Sequence, residues 1–358
     1  MTSSIRIFNL TCSQVTPMRL FRATLWPFSF LLGSVLHFRH FLFSVGILSS
    51  KKALVPTIVI GNLKIGGTGK TPFAIWLIEK LDASITGFVS RGYGRKTKGF
   101  QLITSDSNVS EIGDEPAVVR NHFQSLIGGV SEKRLSGIYQ LKKSFPQIHQ
   151  VVLDDAFQHR KLYPDFSILL TTYNDLFVND HLFPVGGLRD LKKRAQSADA
   201  IVVTKCPEDL SEEEREKIKL ELKLNENQVL AFTTIVYDTP EPAFSQINPW
   251  NSNLRSVCFA GLANPIPFFM EGRNRSVATI EMALPDHHEY TAQDVSRIRQ
   301  EWINFGQENT VLLTTEKDVV KCKNIKGFEE LPLYFLRMKI KFIAGETALL
   351  NAVNEVKK

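Results

Sequence analysis

The pattern of apolar and polar residues divides the chain into an apolar N-terminal segment and a longer globular part. The N-terminal segment reads FRATLWPFSFLLGSVLHFRHFLFSVGIL from Phe21. One narrow polar stripe follows it at spacings of four, four, three and four residues: Ser29, Gly33, His37, His40 and Ser44. This spacing predicts a helix whose remaining surface is aromatic and aliphatic. Sixteen residues separate Arg22 from Arg39, and a spanning helix needs about 20, so we expect a helix that lies in the membrane interface.

Other interpretations of this segment stay open at the level of sequence. A secretory signal is disfavoured because no small-residue cleavage site follows, and a transit peptide fits the acid-free residues 1–17 but not the very apolar helix. The helix could instead pack on the globular part as a core element. Met18 is an alternative start of the protein.

Beyond Lys52, short β-branched runs alternate with helical stretches. The run LVPTIVIGN precedes a glycine-rich turn and the helical pattern FAIWLIEKL. Further strands are predicted at 85–90, 150–155, 166–172 and 200–205, and a charged helix is predicted at 210–224. This alternation is typical of an α/β fold with a parallel, doubly wound sheet.

After about residue 235 the chain changes to proline-containing loops and to new strands at 256–262 and 309–315. At roughly 100–200 residues per domain, the length suits two domains and an appendage. We therefore expect an N-terminal interfacial helix in residues 1–50, a nucleotide-binding core in 51–235 and a smaller C-terminal α/β domain in 236–358.

The net charge of +6 is concentrated at the N-terminus. Of the 43 Lys and Arg residues, eight precede Glu79, the first acidic residue, so the rest of the chain holds 35 basic and 37 acidic residues. A nucleic-acid-binding face would not be segregated in this way, whereas an anionic membrane attracts such a segment by ~1 kcal/mol per cation. The charge pattern predicts a membrane-surface partner and no nucleic acid. The four cysteines form no C-x-x-C pair, which favours a reducing compartment and argues against zinc.

The strongest motif is GNLKIGGTGKTP at residues 61–72. Consecutive backbone N–H groups can form a nest for phosphate, the lysine can reach the β- and γ-phosphates, and the threonine can ligate Mg²⁺. The candidate nucleotide-binding residues are Gly66, Gly67, Thr68, Gly69, Lys70 and Thr71. The strict pattern requires glycine at Lys64, but strand, loop and helix follow in the required order. Residues 51–235 are therefore expected to be a P-loop NTPase core.

A second motif, VVLDDAFQHR at residues 151–160, ends an apolar strand with two carboxylates. Such a strand partners a phosphate loop because its carboxylate anchors Mg²⁺, which makes Asp154 and Asp155 candidate metal ligands together with Thr71. Neighbouring side chains on a strand point to opposite faces, so both can serve only if the strand ends there. The later TKCP at 204–207 has proline where a guanine-reading carboxylate would stand, which favours ATP.

Eight motifs closely resemble, in their order behind an apolar helix, those of the tetraacyldisaccharide 4′-kinases of lipid A biosynthesis. They are GNLKIGGTGKTP, SRGYGRK (90–96), GDEP (113–116), LDDAFQHR (153–160), PVGGLRD (184–190), FAGLANP (259–265), PDHHEY (285–290) and TTEKDVVK (314–321). The resemblance implies an ATP- and Mg²⁺-dependent enzyme at the cytoplasmic face of the inner membrane. Its substrate would be a tetraacylated glucosamine disaccharide 1-phosphate, phosphorylated on the 4′-hydroxyl. Ala156 stands where this family usually has glycine, which puts only the tightness of that turn in doubt.

The resemblance also implies roles for particular residues. Asp114 and His287 would form a catalytic dyad beside Lys70, with the carboxylate accepting the hydroxyl proton and the histidine orienting it. His288 is the alternative to His287. The side chains expected at the substrate are Arg91, Tyr93, Glu115, Gln158, His159 and Arg189, with Arg95 as a further candidate. Asn264 is open to two interpretations, a site residue or equally a structural turn residue.

A competing hypothesis is a membrane-associated P-loop ATPase that works as a switch and transfers phosphate only to water. It would explain the phosphate loop and the basic helix equally well. It would have no use for the motifs that contain Asp114 and His287.

Overall fold

The computed structural model describes residues 24–123, 125–245 and 247–356. Residues 1–17, Met18 and Arg22, on which part of the N-terminal interpretation depends, lie outside the described residues. The helices are α1 (Trp26–Ser44), α2 (Lys70–Lys80), α3 (Val109–Ile112), α4 (Asp114–His122), α5 (Arg134–Ser144), α6 (Glu212–Leu222), α7 (Ile266–Arg275), α8 (Ala292–Asn304), α9 (Glu316–Cys322) and α10 (Glu346–Glu355), with 3₁₀ turns at Phe177–Asn179 and Lys192–Ser197. The strands are β1 (Thr57–Asn62), β2 (Thr86–Ser90), β3 (Gln101–Ile103), β4 (Gly128–Val130), β5 (Gln150–Leu153), β6 (Phe166–Thr172), β7 (Ala200–Thr204), β8 (Val229–Tyr237), β9 (Glu241–Pro242), β10 (Arg255–Gly261), β11 (Thr279–Leu284), β12 (Thr310–Thr315), β13 (Leu333–Leu336) and β14 (Met338–Ala344).

The strands form two sheets. The larger has nine strands in the order β14-β8-β7-β6-β1-β5-β2-β4-β3, and the smaller has five in the order β11-β10-β12-β13-β9. Pairing within the larger sheet is parallel except at its two edges, where β14 and β3 run antiparallel to their neighbours. The expected α/β class with a parallel, doubly wound sheet is confirmed.

Side-chain alternation along the central strands shows why helices cover both faces of the larger sheet. Ile58 and Ile60 of β1 belong to one apolar cluster, which includes the buried side of α2, whereas Val59 belongs to a second cluster with residues of α5 and α6. Successive residues of a strand point to opposite faces, so an unbroken apolar run requires a cover on each side. This arrangement leaves the carboxyl ends of the strands free for a site.

The smaller sheet is attached through a shared core. The cluster that covers α2 continues into Val257 of β10 and Leu312 of β12, and α4 packs against α9. The opposite face of the smaller sheet is covered by α7.

The chain crosses between the two sheets a second time near its C-terminal end. After β13 the chain returns to the larger sheet, where β14 pairs antiparallel with β8, and α10 packs on β8. Residues 338–355 therefore extend the larger part, because an antiparallel edge strand completes β8, whose outer edge would otherwise be unpaired.

Helix α1 turns Ser29, Gly33 and His40 of its polar stripe toward the protein and its apolar face outward, whereas His37 and Ser44 of the stripe are exposed. Ser29 donates a hydrogen bond to Leu182 O at 2.9 Å, and Gly33 lies so close to Leu182 that an added Cβ would be 3.2 Å from Leu182 Cδ1. The outward face exposes large apolar side chains: Trp26, Phe28, Phe30, Leu31, Val35, Phe38 and Phe41. In the part of the chain that the structure describes, no helix has the length and hydropathy required to span a membrane.

Candidate active site

The phosphate loop joins β1 to α2 at the carboxyl edge of the larger sheet. Gly66 and Gly69 have φ values of 119° and 83°, which side chains with a Cβ rarely adopt. Thr68 is buried, and its carbonyl accepts a hydrogen bond from Thr204 Oγ1 at 2.9 Å. Gly67 lies in the same loop, and Thr71 lies in the first turn of α2. The loop therefore has the backbone shape of an anion nest at a helix N-terminus.

Lys70 is held at the end of β1 by two acceptors. Its Nζ lies 3.5 Å from Asn62 Oδ1 and 3.7 Å from Asp155 Oδ1. Asn62 is completely buried and donates from Nδ2 to Thr68 Oγ1 at 3.0 Å. Asn62 thus links the lysine to the phosphate loop.

β5 ends at Leu153, so the two following carboxylates are not bound by strand geometry. Asp155 has a φ of 46°, and its carboxylate receives both Nη atoms of Arg189, with Nη1 donating to Oδ2 at 3.0 Å. Burial raises the pKa of Asp155, but Arg189 and Lys70 outweigh it and leave the pKa below its usual value. Ala156 has no positive φ, so the alanine fits this turn without strain.

Asp154 is the least compensated charge of the site. It is buried, and neither carboxylate oxygen has a hydrogen-bond partner. Burial, followed by the nearby Glu115, raises the pKa of Asp154 to about 8. A buried carboxylate without partners is costly unless a cation compensates it, so this position fits a metal ligand.

No group of three or more His, Cys, Asp or Glu side chains among the described residues is arranged to hold a metal ion by itself. This is compatible with Mg²⁺, which keeps several waters and is usually bound through one or two carboxylates plus substrate phosphates. Asp154 and Asp155 directly follow β5, and Thr71 lies in the first turn of α2.

Asp114 meets a histidine and a lysine from the smaller part of the protein. It is the first residue of α4, and its Oδ2 lies 2.9 Å from His287 Nδ1 and 2.7 Å from Lys321 Nζ. His288 turns away and lies 3.1 Å from Asp294 Oδ2. Of the two histidines that the sequence left as alternatives, the structure therefore places His287 at Asp114.

Residues of the SRGYGRK motif separate into two kinds. Tyr93 is exposed, and its ring centroid lies 5.7 Å from that of His287. Arg95 instead pairs with Glu132 at 2.5 Å and donates to Gly99 O, so it shapes the loop. Asn264 accepts from Ile266 N at 3.3 Å, next to the start of α7, and is a structural turn residue.

His159 and Gln158 have different surroundings. Gln158 donates from Nε2 to Asn62 O at 2.6 Å and thereby supports the phosphate loop. Burial lowers the pKa of His159 to about 4, and four cations lower it further: Arg134, Lys161, Arg39 and Arg91. His159 is therefore neutral and lies within a cationic surface.

Comparison with known proteins assigns this geometry to a family. The family model described as tetraacyldisaccharide-1-P 4′-kinase matches residues 21–357. The chain belongs to this kinase family. A tetraacyldisaccharide 4′-kinase of Flavobacterium johnsoniae is 39% identical over 329 residues, which cover 91% of this chain and 94% of the relative. One from Porphyromonas gingivalis is 37% identical over 303 residues, covering 82% and 84%.

A solved structure supports the same placement in the tetraacyldisaccharide 4′-kinase family. The crystal structure of LpxK from Aquifex aeolicus in complex with ATP matches with a TM-score of 0.74 and 27% identity. The match covers 94% of this chain and 100% of that one.

Sequence reasoning missed several residues of this kinase site. Asn62 and Lys321 lie inside motifs quoted above, but their partners come from distant parts of the chain. Arg134 is buried and donates to the carbonyls of Asp154 and Asp155. Arg134 is the first residue of α5, and in the sequence it cannot be distinguished from a solvated arginine. Lys205 at the end of β7 has a φ of 57°, and its Nζ would lie 4.0 Å from a Cβ on Gly67.

Proposed function

We propose that the protein is a kinase that transfers the γ-phosphoryl group of ATP to the 4′-hydroxyl of a tetraacylated glucosamine disaccharide 1-phosphate in lipid A biosynthesis. The observation that carries this proposal is the contact of Asp114 with His287 and Lys321, which brings a candidate general base and its partners together from the two parts of the protein. Burial raises the pKa of Glu115, and Lys70, Asp155 and His287 each lie close enough to affect it. Glu115 follows Asp114 in α4, so these interactions support the proposal that ATP and the acceptor hydroxyl meet beside it.

The nucleotide would bind along the phosphate loop. Gly66, Gly67 and Gly69 give its backbone the shape of a nest, and Lys70 supplies the cation for the β- and γ-phosphates. Mg²⁺ held by Asp154, Asp155 and Thr71 would offset the phosphate charge. Arg189 keeps Asp155 oriented and ionised, so that it is ready to act as a ligand.

The acceptor hydroxyl would be activated by Asp114. As the bond between the hydroxyl oxygen and the γ-phosphorus forms and the bond to the β-phosphate oxygen breaks, the hydroxyl proton passes to this carboxylate. His287 fixes the direction of Asp114, and Lys321 compensates its negative charge at 2.7 Å. ADP leaves with the electron pair of the broken bond.

The acidic headgroup of the acceptor would lie on the cationic surface around His159. Arg91 is exposed there, and guanidinium groups bind phosphate oxygens in a forked geometry. Tyr93, beside His287, provides a flat surface for a sugar ring.

The acyl chains and the membrane would contact α1. A cavity of about 360 Å³ opens between α1 and the loop that contains Leu182, and its lining includes Trp26 and Phe30. Neighbouring exposed apolar side chains such as those of α1 mark an interaction surface. We place this face of α1 in the cytoplasmic leaflet of the inner membrane, on the side where ATP is available.

The test is incubation of purified protein with γ-labelled ATP and the acylated disaccharide 1-phosphate in mixed micelles. We expect the label in the lipid. Label that appears only as inorganic phosphate contradicts the proposal and favours a switch ATPase, which would not need Asp114, His287 and Lys321 in contact.

A further inference from the structure

Two adjacent residues of α1, Arg39 and His40, contact the framework that holds the nucleotide site. Arg39 Nη2 donates to Gln158 O at 3.1 Å, and Gln158 Nε2 donates to Asn62 O at the end of β1. His40 Nε2 lies 2.6 Å from Asp190 Oδ1. The first connection leads to Asn62, which contacts Lys70. The second leads to Asp190, the chain neighbour of Arg189, which pairs with Asp155.

The hydrogen bonds of His40 define its tautomer. Arg160 Nη1 donates to His40 Nδ1 at 2.9 Å, and a guanidinium has no acceptor. Nδ1 is therefore the acceptor, and Nε2 carries the hydrogen that Asp190 receives. Burial lowers the pKa of His40 against the opposite effect of Asp190, in agreement with a neutral ring. Asp190 is completely buried, and its other partners are Leu191 N at 2.8 Å and Arg194 Nε at 3.8 Å. Loss of His40 would therefore remove the shortest of its side-chain contacts and leave the buried charge less well compensated.

Asp190 is the chain neighbour of Arg189. Arg189 N donates to Leu63 O at 2.9 Å, and its guanidinium forks onto Asp155 and also reaches Asn62. A shift of α1 relative to the sheet would therefore move Asp190 and, through it, the Arg189–Asp155 pair. Misplacement by about 1 Å in a catalytic site can cost ~10²-fold in rate.

The opposite side of α1 is the exposed apolar face. One helix therefore connects a lipid-facing surface to the nucleotide site through Arg39 and His40. We propose that Arg39 and His40 are positioning residues that couple the seating of α1 on a lipid surface to the nucleotide and metal site, so that lipid contact strengthens ATP binding. This inference rests on the proposed function, because it takes α1 to be the element that contacts the membrane.

The experiment measures binding without the acceptor. Full-length protein is titrated with a fluorescent ATP analogue and Mg²⁺, with and without vesicles of phosphatidylethanolamine and phosphatidylglycerol. For wild type we expect vesicles to tighten binding by about 5-fold or more, the lower end of usual coupling. His40→Ala should lose this enhancement while still sedimenting with vesicles, and His40→Gln, which retains a donor for Asp190, should recover part of it.

Ser44→Ala is the matched control, because Ser44 lies one turn further along the same stripe and its hydroxyl donates to Phe41 O within α1. It should keep the full enhancement. If His40→Ala does not fold, Arg39→Gln leaves the Asp190 pair intact and must show the same loss.

Two results would overturn the coupling: equal nucleotide affinity of wild type with and without vesicles, or an enhancement that survives both substitutions. Wild type that does not bind vesicles at all would contradict the proposed membrane contact and the coupling with it. Failure of phosphoryl transfer in mixed micelles would count against the kinase reaction alone, since the vesicle titration contains no acceptor.

Discussion

Lys70 has its ammonium between Asn62 and Asp155, at the first turn of α2. In the proposed mechanism this charge is fixed in advance where phosphate charge develops, so Lys70→Ala should lower kcat by at least ~10²-fold, the scale of other preorganised electrostatic groups. Lys80→Ala is the control, because Lys80 ends the same helix and pairs with Glu346 at its surface. Near-normal turnover of Lys70→Ala would remove the phosphate loop from the mechanism.

The neighbouring histidines at 287 and 288 offer a matched pair of variants. His287→Ala removes one of the two partners of Asp114 and leaves Lys321 in place. General acid–base groups contribute about 10²–10⁴-fold to the rate. We therefore expect kcat to fall by an amount near the lower end of this range, with unchanged affinity for ATP. His288→Ala removes only a contact to Asp294 and should retain most turnover. Steady-state kinetics decide between them. A defect confined to the KM for ATP would assign His287 to nucleotide binding.

Asp154 links pH to stability. Because burial raises the pKa of Asp154 to about 8 from about 3.9 in an unfolded chain, the folded state binds more protons between these values. Stability therefore falls as pH rises through this window. In EDTA at pH 7.5, we expect Asp154→Asn to be more stable than wild type by roughly 1–3 kcal/mol, with a gap that narrows toward pH 5.

Thermal unfolding measures this difference, and addition of Mg²⁺ with ATP should stabilise wild type more than the variant. An Asp154→Asn protein no more stable than wild type at neutral pH would mean that Lys70 and Arg134 already compensate the carboxylate.

At the residue scale, the sequence predicted candidate site residues only where the residues that act together are neighbours in the chain. The phosphate loop and Asp154–Asp155 could be predicted because strand, turn and charge adjoin in the chain. The contact between Asp114 and His287 joins residues 173 positions apart and was accessible only through resemblance to a family. Lys321 was missed because a lysine in a helical stretch has the same signature whether it contacts solvent or a carboxylate.

Helix α1 makes a prediction at the scale of elements. Phe30 and Phe38 are 78% and 63% exposed, and burial of one such side chain contributes about 1.5–3 kcal/mol. Replacing both with Glu should weaken vesicle binding by at least ~10²-fold, since each 1.4 kcal/mol is tenfold, and should leave ATP affinity in micelles much less affected. Leu220→Glu, at a 76% exposed apolar position on α6, is the control. Vesicle co-sedimentation measures the effect, and undiminished binding of the double variant would show that α1 is not the contact.

The elements most easily predicted were the buried parallel strands. β6 coincides with the predicted run 166–172, and β7 lies within the predicted run 200–205. Both could be predicted because a strand that is buried on both faces has a continuous apolar sequence. β14 has a visible alternation, MKIKF, in which Lys339 and Lys341 flank Ile340. That pattern indicates a half-exposed strand, but it does not specify the partner. Pairing with β8 is decided by a chain path that passes through the whole smaller sheet.

At the scale of the whole molecule, Arg337 joins the two sheets where the chain passes between β13 and β14. Its Nε donates to Glu241 at 2.7 Å, at the entry to the smaller sheet. Its Nη1 donates to Glu316 at 2.9 Å, at the start of α9, and lies 3.1 Å from His122 Nδ1 at the end of α4. These two helices also carry Asp114 and Lys321, so the position of Arg337 bears on the contact between them.

Arg337→Gln should therefore lower kcat while leaving ATP affinity unchanged. The proposed nucleotide-binding residues all belong to the larger part, whereas Asp114 contacts His287 and Lys321 of the smaller part. The substitution should also destabilise the fold toward the low end of ~3–5 kcal/mol, since Glu316 is nearly buried and loses its cation but keeps Asn121 as a donor. Arg273→Gln is the control, because Arg273 pairs with Glu281 within the smaller part and is exposed, and such pairs contribute less than about 1 kcal/mol. Turnover, nucleotide titration and thermal unfolding of the two variants test this. A stability loss with normal kcat would show that the two sheets hold Asp114 and Lys321 together without Arg337.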